Sequence, residues 1–212
     1  MIISEIFRSI QGESTFQGLP CSFIRLAGCN LDCRWCDTPY AKKPRGQIMT
    51  PEEATKEIKK FGLKLVEITG GEPLLQEEVY PLTRHLLLNQ HQLLVETNGS
   101  LDISRLPSRV VKIMDLKCPS SGMSERMRWE NISLLNKKDQ IKFVVADRID
   151  YDWASEKIKE LDLSSVAQIL FAPVYGKIEP RELAEWLLED GLPARLQLQL
   201  HKYIWGPNKR GV

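Results

Sequence analysis

A chain of 212 residues with 42% hydrophobic content and a formal charge of +1 has neither the basic field that gathers nucleic acid nor a charge block suited to an acidic membrane surface. The length suits one domain, residues 1–212, with a sizeable core, and the expected ligand is a small molecule. Nowhere do about 18 consecutive apolar residues occur to span a bilayer. Met1-Ile2-Ile3-Ser4-Glu5 is not a basic leader before an apolar run, so a cytoplasmic protein is expected, in a compartment that keeps thiols reduced.

In chain order, short apolar runs rich in β-branched residues predict strands at Cys21–Leu26, Leu65–Thr69, Leu93–Thr97, Val110–Asp115, Ile141–Val145, Ile169–Ala172 and Leu196–Leu200. Helical patterns lie between several of them, at Pro51–Lys60, Glu77–Asn89, Tyr151–Leu161 and Pro180–Glu189. Thr50 with Glu53 forms a capping-box pattern, and Pro51 falls at the first helical position, where a missing N–H costs little. This βαβ order predicts a parallel sheet with right-handed crossovers. A full eight-unit barrel typically takes about 250 residues, and the helices here are too few, so the predicted fold is α/β, a partial (incomplete) parallel β/α barrel. Barrel chemistry collects at the carboxyl ends of strands. Gly28-Cys29, Gly70-Gly71-Glu72-Pro73, Asn98-Gly99 and Lys117-Cys118-Pro119 follow the first four runs, and Gln199 and His201 fall at the last. Pro119–Arg128 reads as a polar loop, either a mobile lid or a plain connection.

Cys29, Cys33 and Cys36 fall in one short stretch, Cys29-Asn30-Leu31-Asp32-Cys33-Arg34-Trp35-Cys36. Three thiolates are one too few for a closed zinc site, whereas a 4Fe-4S cluster held by three cysteines keeps one iron open to a substrate. A zinc knot completed by Cys21, Cys118, His85, His91 or His201 is the alternative, although none has customary zinc spacing. An unpaired count of five cysteines argues against disulfides, and Cys21 and Cys118 are expected outside the cluster. In Gly70-Gly71-Glu72-Pro73 the glycines let backbone approach a ligand with no Cβ in the way, and Glu72 falls beside it; an ordinary strand-to-helix turn has the same composition. Arg25, inside an apolar strand, needs a partner. Trp129, Trp153, Trp186 and Trp205 are expected in the core or an interface.

The spacing Cys-x3-Cys-x2-Cys with Trp35 before the last cysteine, followed one strand later by Gly70-Gly71-Glu72-Pro73, resembles the signature of the radical S-adenosylmethionine enzymes. Over nearly the whole chain the resemblance narrows to the 7-carboxy-7-deazaguanine synthases of queuosine and deazapurine biosynthesis. It is carried by Ser9-Ile10-Gln11-Gly12-Glu13-Ser14, Arg25-Leu26-Ala27-Gly28-Cys29-Asn30-Leu31, Trp35-Cys36-Asp37-Thr38, Ile68-Thr69-Gly70-Gly71-Glu72-Pro73, Glu96-Thr97-Asn98-Gly99, Asp115-Leu116-Lys117-Cys118-Pro119 and Gln197-Leu198-Gln199-Leu200-His201-Lys202. Each stretch is short; their shared order and spacing make the likeness.

The resemblance implies one 4Fe-4S cluster on Cys29, Cys33 and Cys36, and S-adenosyl-L-methionine contacted by Trp35, Cys36, Asp37, Gly71, Glu72, Asn98 and Lys117, with Glu72 near the methionine amino group. It implies Mg2+ on Thr38, a hard oxygen ligand, and a substrate, 6-carboxy-5,6,7,8-tetrahydropterin, bound by Ile10, Gln11, Gly12, Glu13, Arg25, Thr69 and His201. Arg25 would clamp the carboxylate with its planar fork, and Glu13 would take a pterin N–H. The implied reaction removes hydrogen from the carboxylate-bearing carbon, contracts the ring and releases ammonia. A homodimer and an external electron donor such as flavodoxin or ferredoxin are implied with it. On the residues alone, Gln11–Ser14 and Asp37-Thr38-Pro39 also read as turns, and His201 as a satisfied strand-end histidine. Two further functions stay open: a glycyl-radical activase, which often carries additional ferredoxin-like cysteines, and a metal-stabilised binding module without catalysis.

Overall fold

In the computed structural model, which describes residues 1–212, the first element is a strand outside the predicted set, β1 (Ile2–Ile10). Polar residues interrupt its apolar positions and only Ile3 is buried, so it lacks the continuous apolar run of a strand covered on both faces. It pairs antiparallel with β2 (Pro20–Leu26) and with the short edge strand β3 (Gln47–Ile48). From β2 the sheet continues in parallel through β4 (Leu65–Gly70), β5 (Gln92–Thr97), β6 (Val111–Lys117), β7 (Gln140–Val145), β8 (Gln168–Pro173) and β9 (Ala194–Leu196). The order β3-β1-β2-β4-β5-β6-β7-β8-β9 leaves β3 and β9 as free edges. The predicted parallel, incomplete barrel is therefore an open nine-stranded sheet.

Helix α1 (Pro51–Lys60) begins as predicted: Glu53 N donates to Thr50 Oγ1 at 3.2 Å and Thr50 N to Glu53 Oε2 at 2.7 Å. Helices α2 (Val79–Leu88), α3 (Arg148–Glu160) and α5 (Pro180–Asp190) occupy the other predicted positions. Helix α3 starts before the predicted Tyr151 because the Asp147 side chain accepts from Asp150 N at 2.9 Å and caps it earlier. Two short helices, α4 (Leu163–Val166) and α6 (Leu200–Trp205), are additions.

The predicted last strand needs correction. Only Leu196 of Leu196–Leu200 belongs to a strand; Leu200 N donates to Gly12 O at 2.9 Å and opens α6, placing His201 on a helix. The segment Pro119–Arg128 is a tethered connection containing two 3-10 turns. Ser120 N donates to Asp150 Oδ1 at 2.9 Å, and Ser121 and Met127 are buried.

Two apolar clusters divide the core between the faces of the sheet. The larger, of 39 buried residues, fills the space between the helices and one face, with Ile24, Leu26, Val66 and Ile68 from the sheet meeting Ile58, Leu82, Leu86 and Ile158. On the other face Cys21, Phe23, Leu65, Leu94, Val111 and Ile113 form a small apolar floor, with Phe7 stacked on Phe23 at 4.9 Å. Above that floor, toward the carboxyl ends, the inward positions turn polar: Arg25, Glu67, Thr69, Glu96, Asp115 and Lys142. Because side chains alternate along each strand, one sheet carries both an apolar outer core and a charged inner wall. Trp129, Trp153 and Trp186 pack against the larger cluster, while Trp205 is 38% exposed.

Candidate active site

The charged inner wall, the cysteine loop and the segment after α6 enclose one cavity of about 430 Å3, a size typical of small-ligand sites. Every residue that the resemblance assigns to the cluster, S-adenosylmethionine, magnesium or the substrate lines it, except Glu72. Cys29, Cys33 and Cys36 leave β2 in an irregular loop pinned on three sides: Cys29 N donates to Lys42 O at 3.0 Å, Arg34 N to Ser121 O at 3.2 Å and Glu72 N to Gly28 O at 2.8 Å. A Cβ on Gly71 would run into Gly28 O and stand 2.8 Å from Cys29 Cβ. The glycine thus permits the β4 turn to press on the cysteine loop; the absent Cβ makes room for backbone here.

Glu72 departs from expectation. Its side chain is fully buried and points into the protein: Oε1 accepts from Leu74 N at 3.0 Å and Thr97 Oγ1 at 2.8 Å, and Oε2 from Asn98 N at 2.7 Å. Burial pushes its carboxyl up to about 7, against the pull of those donors. The carboxylate braces the ends of β4 and β5, leaving the backbone of Gly70 and Gly71 to face the cavity. Asn98 extends the brace, its Nδ2 lying 3.0 Å from Asn30 Oδ1 and 3.8 Å from Cys29 Sγ.

No three or more His, Cys, Asp or Glu side chains gather as a single-ion site, and a cubane asks each thiolate to reach a different iron, so spaced cysteines on one irregular loop fit it. Burial pushes the thiols of Cys29 and Cys33 up, and for Cys33 the nearby Lys117 ammonium opposes that rise. Lys117 Nζ is 2.7 Å from Asp115 Oδ2; burial works against its charge, but Asp115 and Cys33 hold its pKa up. Asp115 Oδ1 is buried without a hydrogen-bond partner. Trp35 lies partly buried between Cys33 and Cys36. Thr38 heads the 3-10 turn Pro39–Ala41 without capping it by its side chain, and its Oγ1 is 3.9 Å from Cys36 Sγ, so the hydroxyl oxygen remains available to a cation. The turn expected at Asp37-Thr38-Pro39 and a ligand role for Thr38 are therefore compatible.

At the other end, Arg25 has its partner: Nε donates to Glu5 Oε1 at 2.8 Å, and Tyr40 OH donates to the same oxygen at 2.7 Å. Its Nη groups bond no protein acceptor and line the cavity. Thr69 Oγ1 donates to Glu96 Oε2 at 3.0 Å. Gln11 Nε2 donates to Glu67, and Gln11 Oε1 accepts from Glu13 N at 2.9 Å. Ile10 ends β1 at the wall. Gly12 is close-packed for an unexpected reason: a Cβ there would strike His201 Nδ1 and lie 3.0 Å from His201 N. Burial pushes the His201 imidazole down. Asp37 lies at the rim, half exposed to the cavity though ringed by protein. Burial opposes its charge, but Lys202, at 3.3 Å, and Gln199 hold the carboxyl down to about 2.

The motifs assign no role to several wall residues, namely Glu5, Tyr40, Glu67, Glu96, Lys142 and Lys202. One signal marks some of them: Glu67, Glu96 and Lys142 are charges inside runs otherwise apolar enough to be buried strands.

A half-barrel with a three-cysteine loop after its first parallel strand and a double glycine after its second defines a class. Residues 23–120 match the Radical SAM superfamily, whose members imply a 4Fe-4S cluster and S-adenosylmethionine. The 7-carboxy-7-deazaguanine synthase of Chlorobaculum tepidum is 49% identical over 99% of this chain and 96% of its own; that of Koribacter versatilis is 44% identical over 100% of both. The crystal structure of QueE from Escherichia coli superposes with a TM-score of 0.76 over 94% of each chain at 24% identity, a likeness of fold. The chain belongs to the family of the 7-carboxy-7-deazaguanine synthases. It carries no helix long and apolar enough to cross a membrane.

Proposed function

We propose that the protein converts 6-carboxy-5,6,7,8-tetrahydropterin into 7-carboxy-7-deazaguanine, with ring contraction and loss of ammonia, in a magnesium-assisted reaction that feeds queuosine and other 7-deazapurines. The observation that carries this reading is the single cavity in which the loop of Cys29, Cys33 and Cys36 shares its walls with Arg25, Gln11, Glu13 and Thr69. In this reading the three thiolates ligate the 4Fe-4S cluster, and Trp35, Cys36, Asp37, Gly71, Asn98 and Lys117 surround S-adenosylmethionine. When bound, cluster and S-adenosylmethionine supply a 5′-deoxyadenosyl radical able to take the hydrogen on the carboxylate-bearing carbon. The chain's own work is to hold that carbon in reach and exclude water. The free Nη groups of Arg25 take the substrate carboxylate in a bidentate pair, and the Thr38 hydroxyl oxygen would hold Mg2+, which would supply a hard Lewis acid beside the substrate. Ile10, Gln11, Gly12, Glu13, Thr69 and His201 form the wall for the heterocycle.

The reading also takes residues 1–212 as one domain, a homodimer as the assembly, the cytoplasm as the compartment, and flavodoxin or ferredoxin as reductant. Its test is anaerobic incubation of reconstituted protein with S-adenosylmethionine, reductant, Mg2+ and carboxypterin deuterated at the carboxylate-bearing carbon. Mass spectrometry should find the label in 5′-deoxyadenosine alongside 7-carboxy-7-deazaguanine. Full product with unlabelled deoxyadenosine would contradict the abstraction site, and absence of product would overturn the reading in favour of an activase.

A further inference from the structure

Lys142 sits in the middle of β7 between the buried Ile141 and Phe143, and its side chain turns inward, only 7% exposed. Its Nζ lies 2.9 Å from Glu13 Oε2 and 3.6 Å from Asp115 Oδ2, and donates to Glu96 Oε1. Carboxylates from the β1–β2 loop, β5 and β6 thus converge on one ammonium. Neighbours fix the remaining positions: Gln199 Nε2 donates to Glu13 Oε1 at 2.8 Å, and Thr69 Oγ1 to Glu96 Oε2 at 3.0 Å.

A buried ammonium carries a heavy desolvation cost, and the apolar floor immediately below shows that this sheet can be filled without one. Carboxylates this close would otherwise repel one another and take up protons. The contrast between two of them shows the cation's reach. Glu67, facing Glu96 and Glu13 without a direct Lys142 bond, is pushed well up by burial and by those carboxylates; Glu13, buried but bonded to Lys142, is held down. The charged groups around Glu13 are Lys142 from β7, His201 from α6, and Glu67 and Glu96 from β4 and β5.

We propose that Lys142 is a positioning residue that gathers Glu13 and Glu96 into one fixed acceptor array for the N–H edge of the substrate heterocycle. This rests on the carboxypterin reading above and assigns to β7 a role that no motif in the chain reveals. An array of ionised acceptors suits a ring edge rich in N–H donors, because charge-assisted bonds are the strong ones.

The test measures equilibrium binding of carboxypterin to the cluster-loaded protein in the presence of S-adenosylmethionine, across about pH 5 to 8, for Lys142→Met, Lys142→Gln and Lys142→Arg. Iron, sulfide and S-adenosylmethionine affinity report folding. For the Met and Gln variants the carboxypterin Kd should rise about tenfold or more, with S-adenosylmethionine affinity unchanged. The weakening of binding at acid pH should also begin at a higher pH, since Glu13 without its cation takes up a proton sooner. Lys142→Arg, which keeps the charge, should return the acid limb to the wild-type position. An unchanged Kd and acid limb in soluble Met or Gln variants would overturn the inference alone. Failure of both to fold would assign Lys142 to stability and overturn it too. Wild-type protein that binds no carboxypterin would bring down the substrate reading and this inference together.

Discussion

Replacing Gly71 by Ala should damage the cofactor end of the site through a contact that can be measured in advance. The added Cβ would stand 2.8 Å from Cys29 Cβ and closer still to Gly28 O, whereas carbon atoms pack at about 3.5–4.0 Å. The β4 turn and the cysteine loop must therefore separate by roughly 1 Å. Both neighbours are backbone or Cβ atoms, so no side-chain rotation relieves the overlap. Overpacking of this kind costs about 1–3 kcal/mol, and for a chain of this size each kcal/mol lowers Tm by about 2–4 °C, so the apoprotein should melt roughly 2 to 12 °C lower. A displacement of about 1 Å at reacting groups costs on the order of a hundredfold in rate, so reductive cleavage of S-adenosylmethionine should fall by about that factor and iron content should drop. Differential scanning calorimetry, iron and sulfide assays, and deoxyadenosine formation read the three effects. Wild-type melting, cluster content and cleavage in Gly71→Ala would refute the account of why this position is glycine.

Alanine at Cys29, Cys33 or Cys36 should abolish the cluster and cofactor cleavage, whereas Cys21→Ala and Cys118→Ala, both outside the loop and buried, should retain iron, sulfide and visible absorption; normal cluster content in Cys33→Ala would remove the ligand assignment. Thr38→Ala should bind S-adenosylmethionine normally yet lose the stimulation of turnover by Mg2+, and stimulation that persists unchanged would exclude Thr38 as a ligand. His201 adds a pH dependence. Its folded pKa lies below the ordinary 6.5, so its contribution to stability is present above that value and is lost as pH falls through the depressed one. The decline of Tm on the acid side of neutrality should consequently be shallower in His201→Gln, and identical slopes in the two proteins would rule out a titrating His201 as the cause.

The chemistry-bearing loops were legible because each is a local device. Three cysteines on one loop, two glycines after a strand and a Thr50–Glu53 box act over a few residues, and the structure places all three where the spacing predicts. The parallel order was legible for a related reason: strands covered on both faces read as continuous apolar runs. By itself, the sequence determined the parallel strands β2 and β4 to β8 of the half-barrel and which loops meet at its mouth. It did not determine which face of each strand is concave, since both faces of a parallel strand are covered, and that choice decided that Glu67, Glu96 and Lys142 point at a ligand cavity. It did not reveal β1, whose weak apolar pattern becomes a strand only by pairing with β2 and β3. Nor did it show that Glu72 turns inward to bind Leu74, Thr97 and Asn98, or that Gly12 yields its space to His201 across the cavity. Those outcomes depend on atoms distant in the chain, brought within hydrogen-bond or contact distance only when the sheet curls, and tertiary structure alone decides them.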